Sequence, residues 1–258
     1  MNTATTPQDF TGRGVVVTGA GSGIGRAAAL AFAERGADLV VADLSTEGAA
    51  RTVAEIEALG GTAVAVVGDL GEQAVVDEVV ATALRVFGRI DVLVNNAGIM
   101  DSMSAAADVG DAEWDRVIRI NLTAPFLLSR AVLPHMLDAG RGSLVFTASE
   151  AALRGSAAGA AYTVSKHGIV GLVKSLAVTY RDKGIRANAI APGGTLTGMR
   201  PELDPTALGP AALGAYGANI GRVSEPAEQA AALVFLASDA ASNIFGVVLP
   251  VDNGWSAV

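Results

Sequence analysis

The feature that most constrains the fold of this chain is a regular alternation of short β-branched segments with longer segments of helical period. Seven segments have the length and composition of strands, at residues 15–17, 38–42, 62–67, 90–94, 143–147, 186–190 and 245–251. Six helical segments lie between them, at residues 24–35, 46–59, 72–87, 114–136, 160–181 and 226–238. Several strands are apolar almost throughout, as strands covered on both faces are. The pattern therefore predicts an α/β fold in which a doubly wound, seven-stranded parallel sheet is flanked by helices.

The length and composition of the chain predict one domain. It has 258 residues, of which 51% are hydrophobic, and a chain of this size can bury a large core. No linker, low-complexity stretch or internal repeat divides it, so we expect a single domain over residues 1–258. The segment at about 193–221, rich in Gly, Pro and Ala, interrupts the alternation. We interpret it as a substrate flap over a site, with a passive surface loop as the alternative.

The composition argues against several classes of function. The net charge of −8 disfavours a nucleic-acid partner, which would need a basic surface. Without cysteine the chain has no disulfide, thiolate nucleophile or Cys-ligated zinc, and its two histidines are too few to indicate a metal site. The longest apolar run, residues 230–237, is far shorter than a membrane span, and the N-terminus lacks the pattern of a signal peptide. We therefore expect no metal and no membrane partner, and a cytoplasmic protein.

A glycine cluster follows the first predicted strand, at residues 18–25 (TGAGSGIG). Glycines at positions 19, 23 and 25 allow a tight turn, close approach of the backbone to a pyrophosphate, and close packing of helix on strand. The next helix would then direct its N-terminal N–H groups at the phosphates. The position of the cluster between a strand and a helix predicts a dinucleotide site of Rossmann type, with Gly19, Ser22, Gly23 and Ile24 among its residues.

Two acidic residues end the second and third predicted strands. Asp43 lies where a carboxylate can accept hydrogen bonds from the ribose hydroxyls of adenosine, although a turn-forming role is the alternative. A carboxylate there would repel a 2′-phosphate, and no Arg or Lys lies in the glycine loop or directly after Asp43. The sequence therefore favours NAD over NADP. Asp69, followed by Leu70, is a candidate partner of the adenine amino group, with a helix N-cap role as the alternative.

Tyr162 and Lys166 are four residues apart on one predicted helix and therefore share a face. A tyrosine has an unperturbed pKa of about 10, so it is a poor base at neutral pH. A nearby ammonium favours the phenolate, as would the positive charge of an oxidised nicotinamide. The pair could therefore make a phenol act as an acid or a base, although this spacing alone is common among helices.

The remaining motifs resemble those of the short-chain dehydrogenase/reductase family over nearly the whole chain. The glycine loop matches its TGxxxGxG segment, residues 95–98 match its NNAG, and residues 162–166 match its YxxSK. Asn121 falls where the family has a catalytic Asn, and Ser149 precedes Tyr162 by 13 residues. Pro192, Gly193 and Thr197 match its PGxxxT segment. Several independent motifs in the right order and spacing make this resemblance specific.

The resemblance implies a role for each catalytic candidate. Tyr162 would be the general acid in carbonyl reduction and the base in alcohol oxidation. Ser149 would hydrogen-bond the substrate oxygen. Lys166 would lower the pKa of Tyr162 and hold the nicotinamide ribose, and Asn121 would position a water that links Lys166 to solvent.

The resemblance also implies the rest of the cofactor site and the assembly. Residues along the dinucleotide would be Asn96, Ala97, Gly98, Pro192, Gly193, Thr195 and Thr197. Family members are commonly homotetramers, so we expect a homotetramer. The ending VDNGW differs from the family's VDGG at Asn253, which bears on the terminal turn and the subunit interface more than on catalysis.

The segments expected to surround the substrate are mostly apolar. They are Ile99, Met100 and Met103 after the NNAG motif, residues 150–153 after Ser149, and Met199, Leu203, Leu213 and Tyr216 in the flap. The substrate expected is a small alcohol or ketone, hydrophobic or cyclic. Glu150 is the polar exception, and it would either bind a substrate hydroxyl or face solvent. The alternatives are a polyol or sugar dehydrogenase, a β-ketoacyl carrier-protein reductase, which would usually take NADPH, and a non-catalytic dinucleotide-binding protein, which would be expected to lack Tyr162 or Lys166.

Overall fold

The computed structural model describes residues 8–201 and 203–258, where strands and helices alternate as predicted. The strands are β1 (Gly14–Thr18), β2 (Asp38–Asp43), β3 (Thr62–Val67), β4 (Val92–Asn95), β5 (Gly142–Thr147), β6 (Ile185–Pro192) and β7 (Val248–Val251). The helices are α1 (Gly23–Ala33), α2 (Thr46–Ala58), α3 (Gln73–Phe87), α4 (Asp111–Ile118), α5 (Ala124–Ala139), α6 (Ala160–Tyr180), α7 (Leu208–Gly214) and α8 (Pro226–Ala237). The expectations that concern residues 1–7 (the N-terminal segment) and Glu202 (within the flap) lie outside the described residues.

All seven strands pair in parallel in the order β3-β2-β1-β4-β5-β6-β7. The predicted doubly wound sheet is therefore confirmed. The chain first builds outward from β1 to β3 and then returns to place β4 on the other side of β1. The connections that leave the carboxyl ends of the paired strands β1 and β4 consequently run to opposite faces of the sheet, and this switch point is where open α/β sheets bind their ligands.

The sheet is buried on both faces, which explains why its strands are apolar almost throughout. Val16 and Val40 belong to a core shared with α3, α5 and α6. The neighbouring residues Val15, Val17 and Val41 belong to a second core shared with α1, α2 and α8. Successive side chains of a strand point to opposite faces, so one apolar strand supplies both cores.

The structure differs from the predicted elements at three places. The helix predicted over residues 114–136 is two helices, α4 and α5, joined by a π-helical turn at Arg119–Thr123. The segment at about 193–221 is not wholly irregular, since it contains α7 and a 3-10 turn at Gly217–Ile220. The last strand begins at Val248 rather than at residue 245, because Gly246 has a positive φ of 73° and precedes it.

The continuous helical stretch Asp111–Ala139 is long and apolar enough to match a membrane span by length and composition alone. Its apolar side chains have another explanation within the protein. Leu128, Val132 and Met136 are almost fully buried in the core shared with the sheet. The stretch is therefore only weak evidence for a membrane span.

Candidate active site

A cavity of about 750 Å³ opens at the carboxyl edge of the sheet. Residues that follow β1 to β6 line it, so the topology brings together segments far apart in sequence. It contains every residue proposed from the sequence for the cofactor or for catalysis, with the exception of Asn121. The lining residues from that set are Gly19, Ser22, Gly23, Ile24, Asp43, Asp69, Leu70, Asn96, Ala97, Gly98, Ser149, Tyr162, Lys166, Pro192, Gly193, Thr195 and Thr197.

The glycine loop is held against the end of β4 by Thr18, the last residue of β1. Its hydroxyl accepts hydrogen bonds from the backbone N–H groups of Asn96 (2.9 Å) and Ala97 (3.0 Å). The Asn96 side-chain amide donates to the carbonyl of Thr18 at 3.0 Å. Gly19 has φ of +62°, and a Cβ there would lie 2.9 Å from the Cα of Ala97. Only glycine fits this approach, so the loop closes one wall of the cavity.

The N-terminus of α1 faces the cavity through Ser22, Gly23 and Ile24. Ser22 makes no side-chain hydrogen bond to cap the helix, so its first N–H groups have no capping side chain. Free N–H groups at a helix N-terminus bind phosphate well. The loop and helix therefore have the chemistry that a dinucleotide pyrophosphate requires.

The carboxylate of Asp43 braces the glycine loop against the start of α2. It accepts hydrogen bonds from the backbone N–H of Gly21 at 2.7 Å and of Ser45 at 2.8 Å. A Cβ at Gly21 would lie 2.9 Å from the carboxyl carbon of Asp43, so the glycine makes room for this contact. The next residue, Leu44, is apolar, 72% exposed, and also lines the cavity. A negative charge beside an apolar residue is a poor environment for a 2′-phosphate.

Asp69 forms an ion pair with Arg119 that the sequence does not reveal. One of its oxygens accepts from Arg119 at 2.8 Å, and the other accepts from the backbone N–H of Gly71 at 2.8 Å. The hydrogen bond from Arg119 holds the pKa of this carboxyl below its usual range. The adenine partner proposed for Asp69 remains a prediction, because the carboxylate lines the cavity but is shared with Arg119. Arg119, 50 residues away along the chain, was not identified from the sequence.

Tyr162 and Lys166 lie on the first two turns of α6 and are 7% and 3% exposed. The ammonium nitrogen of Lys166 is 5.4 Å from the centroid of the Tyr162 ring and donates to the carbonyl of Thr147 at 2.8 Å. A Cβ at Gly98 would lie 3.5 Å from this nitrogen, so the absence of a side chain keeps the ammonium accessible from the cavity. The predicted shared helix face therefore exists, and it points into the cavity.

Burial dominates the proton affinities of the pair. It raises the pKa of Tyr162 to about 12; a hydrogen bond with Ser149 lowers this pKa and the charge of Asp101 raises it. Burial lowers the pKa of Lys166 to about 8. The lowering of this pKa by Lys166 stays a prediction, because burial is the largest influence on the phenol.

Ser149 lies two residues after the end of β5 and lines the cavity near Tyr162. Its hydroxyl oxygen accepts a hydrogen bond from the backbone N–H of Ala151 at 3.1 Å, which fixes the side chain at the start of a 3-10 turn. The same hydroxyl hydrogen-bonds the phenol of Tyr162. A hydroxyl fixed beside the phenol can orient a carbonyl or alcohol oxygen between them.

Asn121 lies behind the cavity wall in the π-helical turn and is 1% exposed. Its side-chain amide forms two hydrogen bonds with the backbone of Ile99, accepting from the N–H at 2.8 Å and donating to the carbonyl at 2.9 Å. It also donates to the hydroxyl of Ser165 at 3.3 Å. Single π-helical turns occur often at functional sites, where they redirect a side chain. Here Asn121 holds the loop after Gly98, while its role with water remains a prediction.

The apolar wall of the cavity is only partly as expected. Ile99, Met100, Met103 and Met199 line it, whereas residues 150–153, Leu203, Leu213 and Tyr216 do not. The sequence did not identify Trp255, which lies 7% exposed in the C-terminal turn and lines the same cavity. Other wall residues beyond the expected set are Ala157, Pro201 and Ile220. The sequence signal that could have pointed to Trp255 is its position as an aromatic residue just after the C-terminal motif.

Both interpretations of Glu150 are wrong. It neither faces solvent nor lines the cavity, because it is 1% exposed beneath the C-terminal segment. It pairs with Arg154 at 2.9 Å and faces Asp252, and burial together with Asp252 raises the pKa of Glu150 to about 7. Arg154 in turn lies 5.8 Å from the ring centroid of Trp255 and donates to the carbonyl of Val258 at 3.0 Å. The role of Glu150 is therefore in holding the C-terminus.

Comparison with known proteins places this site among related enzymes. The family model described as short chain dehydrogenase matches residues 13–207. The cis-4-hydroxycyclohexanecarboxylate dehydrogenase of Sinomonas cyclohexanicum is 41% identical over 249 residues, 96% of this chain and 98% of the relative. The cyclohexanol dehydrogenase of Acinetobacter sp. (strain SE19) is 37% identical over 251 residues, 96% of each chain.

Solved structures resemble this fold along its whole length. The crystal structure of levodione reductase superposes with a TM-score of 0.88 at 38% identity, covering 96% of this chain and 99% of that one. A 3-ketoacyl-(acyl-carrier-protein) reductase from Brucella melitensis, complexed with NADH, gives 0.85 at 34% identity, with 96% and 99% covered. A structure from Beutenbergia cavernae with NADP at low occupancy gives 0.84 at 40% identity, with 98% and 100% covered.

Proposed function

The chain belongs to the short-chain dehydrogenase family, and from this premise we propose that it interconverts a small cyclic secondary alcohol and its ketone with NAD, using Tyr162 as general acid and base. One observation carries the proposal. Tyr162, Lys166 and Ser149 line the same cavity as the glycine loop and Asp43. A dinucleotide laid along that cavity would bring its reactive ring to the phenol.

The catalytic groups have complementary tasks. In alcohol oxidation, Ser149 donates a hydrogen bond to the substrate oxygen, and the Tyr162 oxygen takes the hydroxyl proton. In ketone reduction, Tyr162 returns that proton to the carbonyl oxygen. Lys166, anchored on Thr147, stays within reach of both the phenol and a ribose at Gly98. NAD, when bound, supplies the hydride acceptor and a positively charged ring at this end of the cavity.

That positive charge matters because the protein's own groups raise the pKa of Tyr162 to about 12. A phenol of this kind is almost fully protonated at neutral pH, so it is ready to donate a proton in ketone reduction. Alcohol oxidation needs additional positive charge beside the phenol. We therefore expect oxidation to rise toward alkaline pH, where more of the phenol is ionised.

The choice of NAD over NADP rests on Asp43. Its carboxylate is positioned by Gly21 and Ser45 to meet the ribose hydroxyls, and Leu44 offers no positive charge to a 2′-phosphate. The relatives do not decide this point, because one related structure has NADH bound and another has NADP.

The substrate class follows from the cavity wall and is supported by the relatives. Met100, Met103, Met199 and Trp255 form an apolar surface near Tyr162. Two relatives are named for cyclohexane-ring alcohols. An apolar ring with one hydroxyl or carbonyl group would fill this space and leave one oxygen for Ser149 and Tyr162.

The other activities considered fit less well. A polyol or sugar would bury several hydroxyls against an apolar wall, and Glu150, the candidate partner for one of them, is not in the cavity. A β-ketoacyl reductase cannot be set aside on cofactor preference, since the Brucella melitensis enzyme is complexed with NADH. A non-catalytic role would leave the buried Tyr162 and Lys166 without a purpose.

The assembly is proposed from apolar side chains on two helices. Apolar side chains of α5 and α6 are exposed in the isolated chain, among them Phe126, Leu137, Val164 and Val178. Burying such side chains between subunits is the usual reason for them, so we propose a homotetramer built on one domain over residues 1–258. The segment at about 193–221 would act as the substrate flap, and the enzyme would work in the cytoplasm without a nucleic-acid or membrane partner.

The test is a panel of cyclic secondary alcohols and ketones assayed with NAD and NADP side by side. Nicotinamide absorbance should change with cyclohexanol-like substrates and NAD, with a lower KM for NAD than for NADP. A polyol turned over better than any ring alcohol would overturn the substrate class. Saturation by NADP at lower concentration than NAD would overturn the assignment to Asp43.

A further inference from the structure

Asp101 is a buried carboxylate that the catalytic roles above do not use. It lies in the loop after Gly98, three residues beyond it, and is 2% exposed. Among residues 8–201 and 203–258 it forms no ion pair with Arg, Lys or His. A buried charge without a counter-ion is costly unless hydrogen bonds replace its hydration. Its partners should therefore explain why it is there.

Those partners include the first turn of the catalytic helix. One Asp101 oxygen accepts from the backbone N–H of Tyr162 at 2.9 Å, and the other accepts from that of Gly159 at 3.2 Å. Gly159 is the N-cap position of α6 and has no side chain to cap the helix. A Cβ there would lie 2.6 Å from the Asp101 oxygen. Asp101 thus supplies, from another segment, the cap that α6 lacks.

The same carboxylate holds the substrate wall. The oxygen that binds Gly159 also accepts from the backbone N–H of Met103 at 3.0 Å. Met103 has a positive φ of 56°, which is unusual for a residue with a long side chain. Non-glycine residues keep such a conformation only when their surroundings enforce it. Met103 lines the cavity, so Asp101 links a wall residue to the catalytic tyrosine.

We propose that Asp101 is a positioning residue for the reaction, which anchors Tyr162 and Met103 on one carboxylate and keeps a fixed negative charge near the phenol. The inference rests on the proposed function, since it concerns how Tyr162 works. The charged side chains that face Tyr162 are Asp101, from the loop, and Lys166, from α6 itself. Glu113, on α4, binds the same loop at Ser102 and Ser104.

The negative charge of Asp101 affects the pKa of Tyr162. The anion of Asp101 raises the pKa of Tyr162, because it disfavours a second negative charge nearby. Removing the charge should lower this pKa. The acidic limb of alcohol oxidation, where the phenol becomes ionised, should then move to lower pH.

The experiment compares Asp101→Asn with the wild-type enzyme in the pH profile of kcat/KM for alcohol oxidation. We expect the acidic limb to move down by about 0.5–1 pH unit. The ultraviolet absorbance of the phenolate, measured against the same variant in a Tyr162→Phe background, should appear at correspondingly lower pH. Asp101→Ser, a smaller capping residue without charge, should shift the limb in the same direction if Asp101→Asn does not fold.

Glu113→Gln is the matched control, since it neutralises an α4 carboxylate that binds the same loop at Ser102 and Ser104. It should leave the acidic limb in place. A limb that is unchanged in both Asp101 variants, or equally shifted in Glu113→Gln, would overturn the inference. The proposed function would be untouched in that case, because it fails separately, if the wild type oxidises no ring alcohol or Tyr162→Phe keeps its turnover.

Discussion

Burial is the first cause of the pKa change in three ionisable side chains in and behind the site. The pKa of Tyr162 rises to about 12, that of Glu150 rises to about 7, and that of Lys166 falls to about 8. In each case the charged form loses hydration that the protein only partly replaces. The neutral forms are therefore favoured, and a phenol kept neutral is a ready proton donor for ketone reduction.

Glu150 should make the protein less stable as the pH rises. Its pKa is about 7 in the folded protein against about 4.5 when exposed, so its contribution is intact below 4.5 and lost as the pH rises through 7. Glu150→Gln removes this titration. We expect the variant to be more stable than wild type by about 1–3 kcal/mol at pH 8, with little difference at pH 4.5.

Urea unfolding at the two pH values measures this difference. Glu47→Gln, which changes a carboxylate that is 90% exposed, is the control and should have no comparable effect. A Glu150→Gln variant less stable than wild type at pH 8 would mean that its ion pair with Arg154 outweighs the burial of its charge.

Asp43 should decide the cofactor. Asp43→Asn keeps one oxygen for the backbone N–H groups but removes the charge that opposes a 2′-phosphate. We expect the KM for NAD to rise about 10-fold or more and the preference over NADP to shrink or reverse. Ser45→Ala is the control, because it removes the bond to the Gly48 N–H that caps α2 and leaves the Asp43 charge in place. Equal changes in both variants would assign the effect to loop order rather than charge.

The sequence identifies some of these residues and not others, because some act through partners that are far away along the chain. Asp43 and Tyr162 stand in local motifs whose chemistry is readable from spacing alone. Glu150 does not, because its carboxyl faces Asp252, about a hundred residues later. Asp69 and Arg119 pair across 50 residues for the same reason. No local pattern predicts such pairings.

Among the elements, α8 depends on a side chain from the strand beneath it. Arg186 on β6 is 9% exposed, and its guanidinium donates to the carbonyls of Leu236 (2.7 Å), Ala237 (3.0 Å) and Ser238 (3.1 Å). These are the last carbonyls of the helix, which have no partner within it. A cation at this end also interacts favourably with the negative end of the helix dipole. Arg186 therefore fixes where α8 ends.

Arg186→Met should destabilise the protein by about 2–4 kcal/mol, because three buried carbonyls would lose their donor. The methionine keeps most of the apolar stem, so lost packing is a small part of the effect. Urea unfolding measures the change. Arg181→Met, at a side chain that is 62% exposed, should change the free energy of unfolding by less than about 0.5 kcal/mol. A change equally small in Arg186→Met would contradict this account of the helix end.

Most elements follow from the sequence because periodicity and burial agree. The apolar strands feed two cores, and the helices between them each cover one face. The π-helical turn at Arg119–Thr123 could not be predicted, since one shifted hydrogen bond leaves the hydrophobic period almost unchanged. α7 was missed because the glycines and proline of its segment indicate a loop. Tertiary packing outweighs the loop preference of these residues, because Gly209 packs closely against the backbone carbonyl of Met103.

At the scale of the whole molecule, the strand order places the site. Segments after six strands meet at one edge of the sheet, with the neighbouring strands β1 and β4 at its centre. The family motifs indicate which residues should gather there, and all of these residues except Asn121 line one cavity. The C-terminal contribution is the part that motifs do not predict. Trp255 reaches the cavity because Glu150 and Arg154 hold the chain end against it.

The central claim is that Tyr162 handles the proton that accompanies hydride transfer. Tyr162→Phe keeps the ring in its buried place and removes only the hydroxyl. We expect kcat/KM for ring alcohols to fall by about 10²–10⁴-fold. The dissociation constant of NAD and the thermal stability should change little, because the ring makes the packing contacts.

Tyr180→Phe, at the other end of α6, is the matched control and should keep wild-type turnover. The decisive measurement is the rate of NAD reduction by Tyr162→Phe with the cofactor shown to be bound. A loss of at least about 10²-fold with unchanged NAD binding is the predicted result. Near-full turnover by that variant would contradict the account.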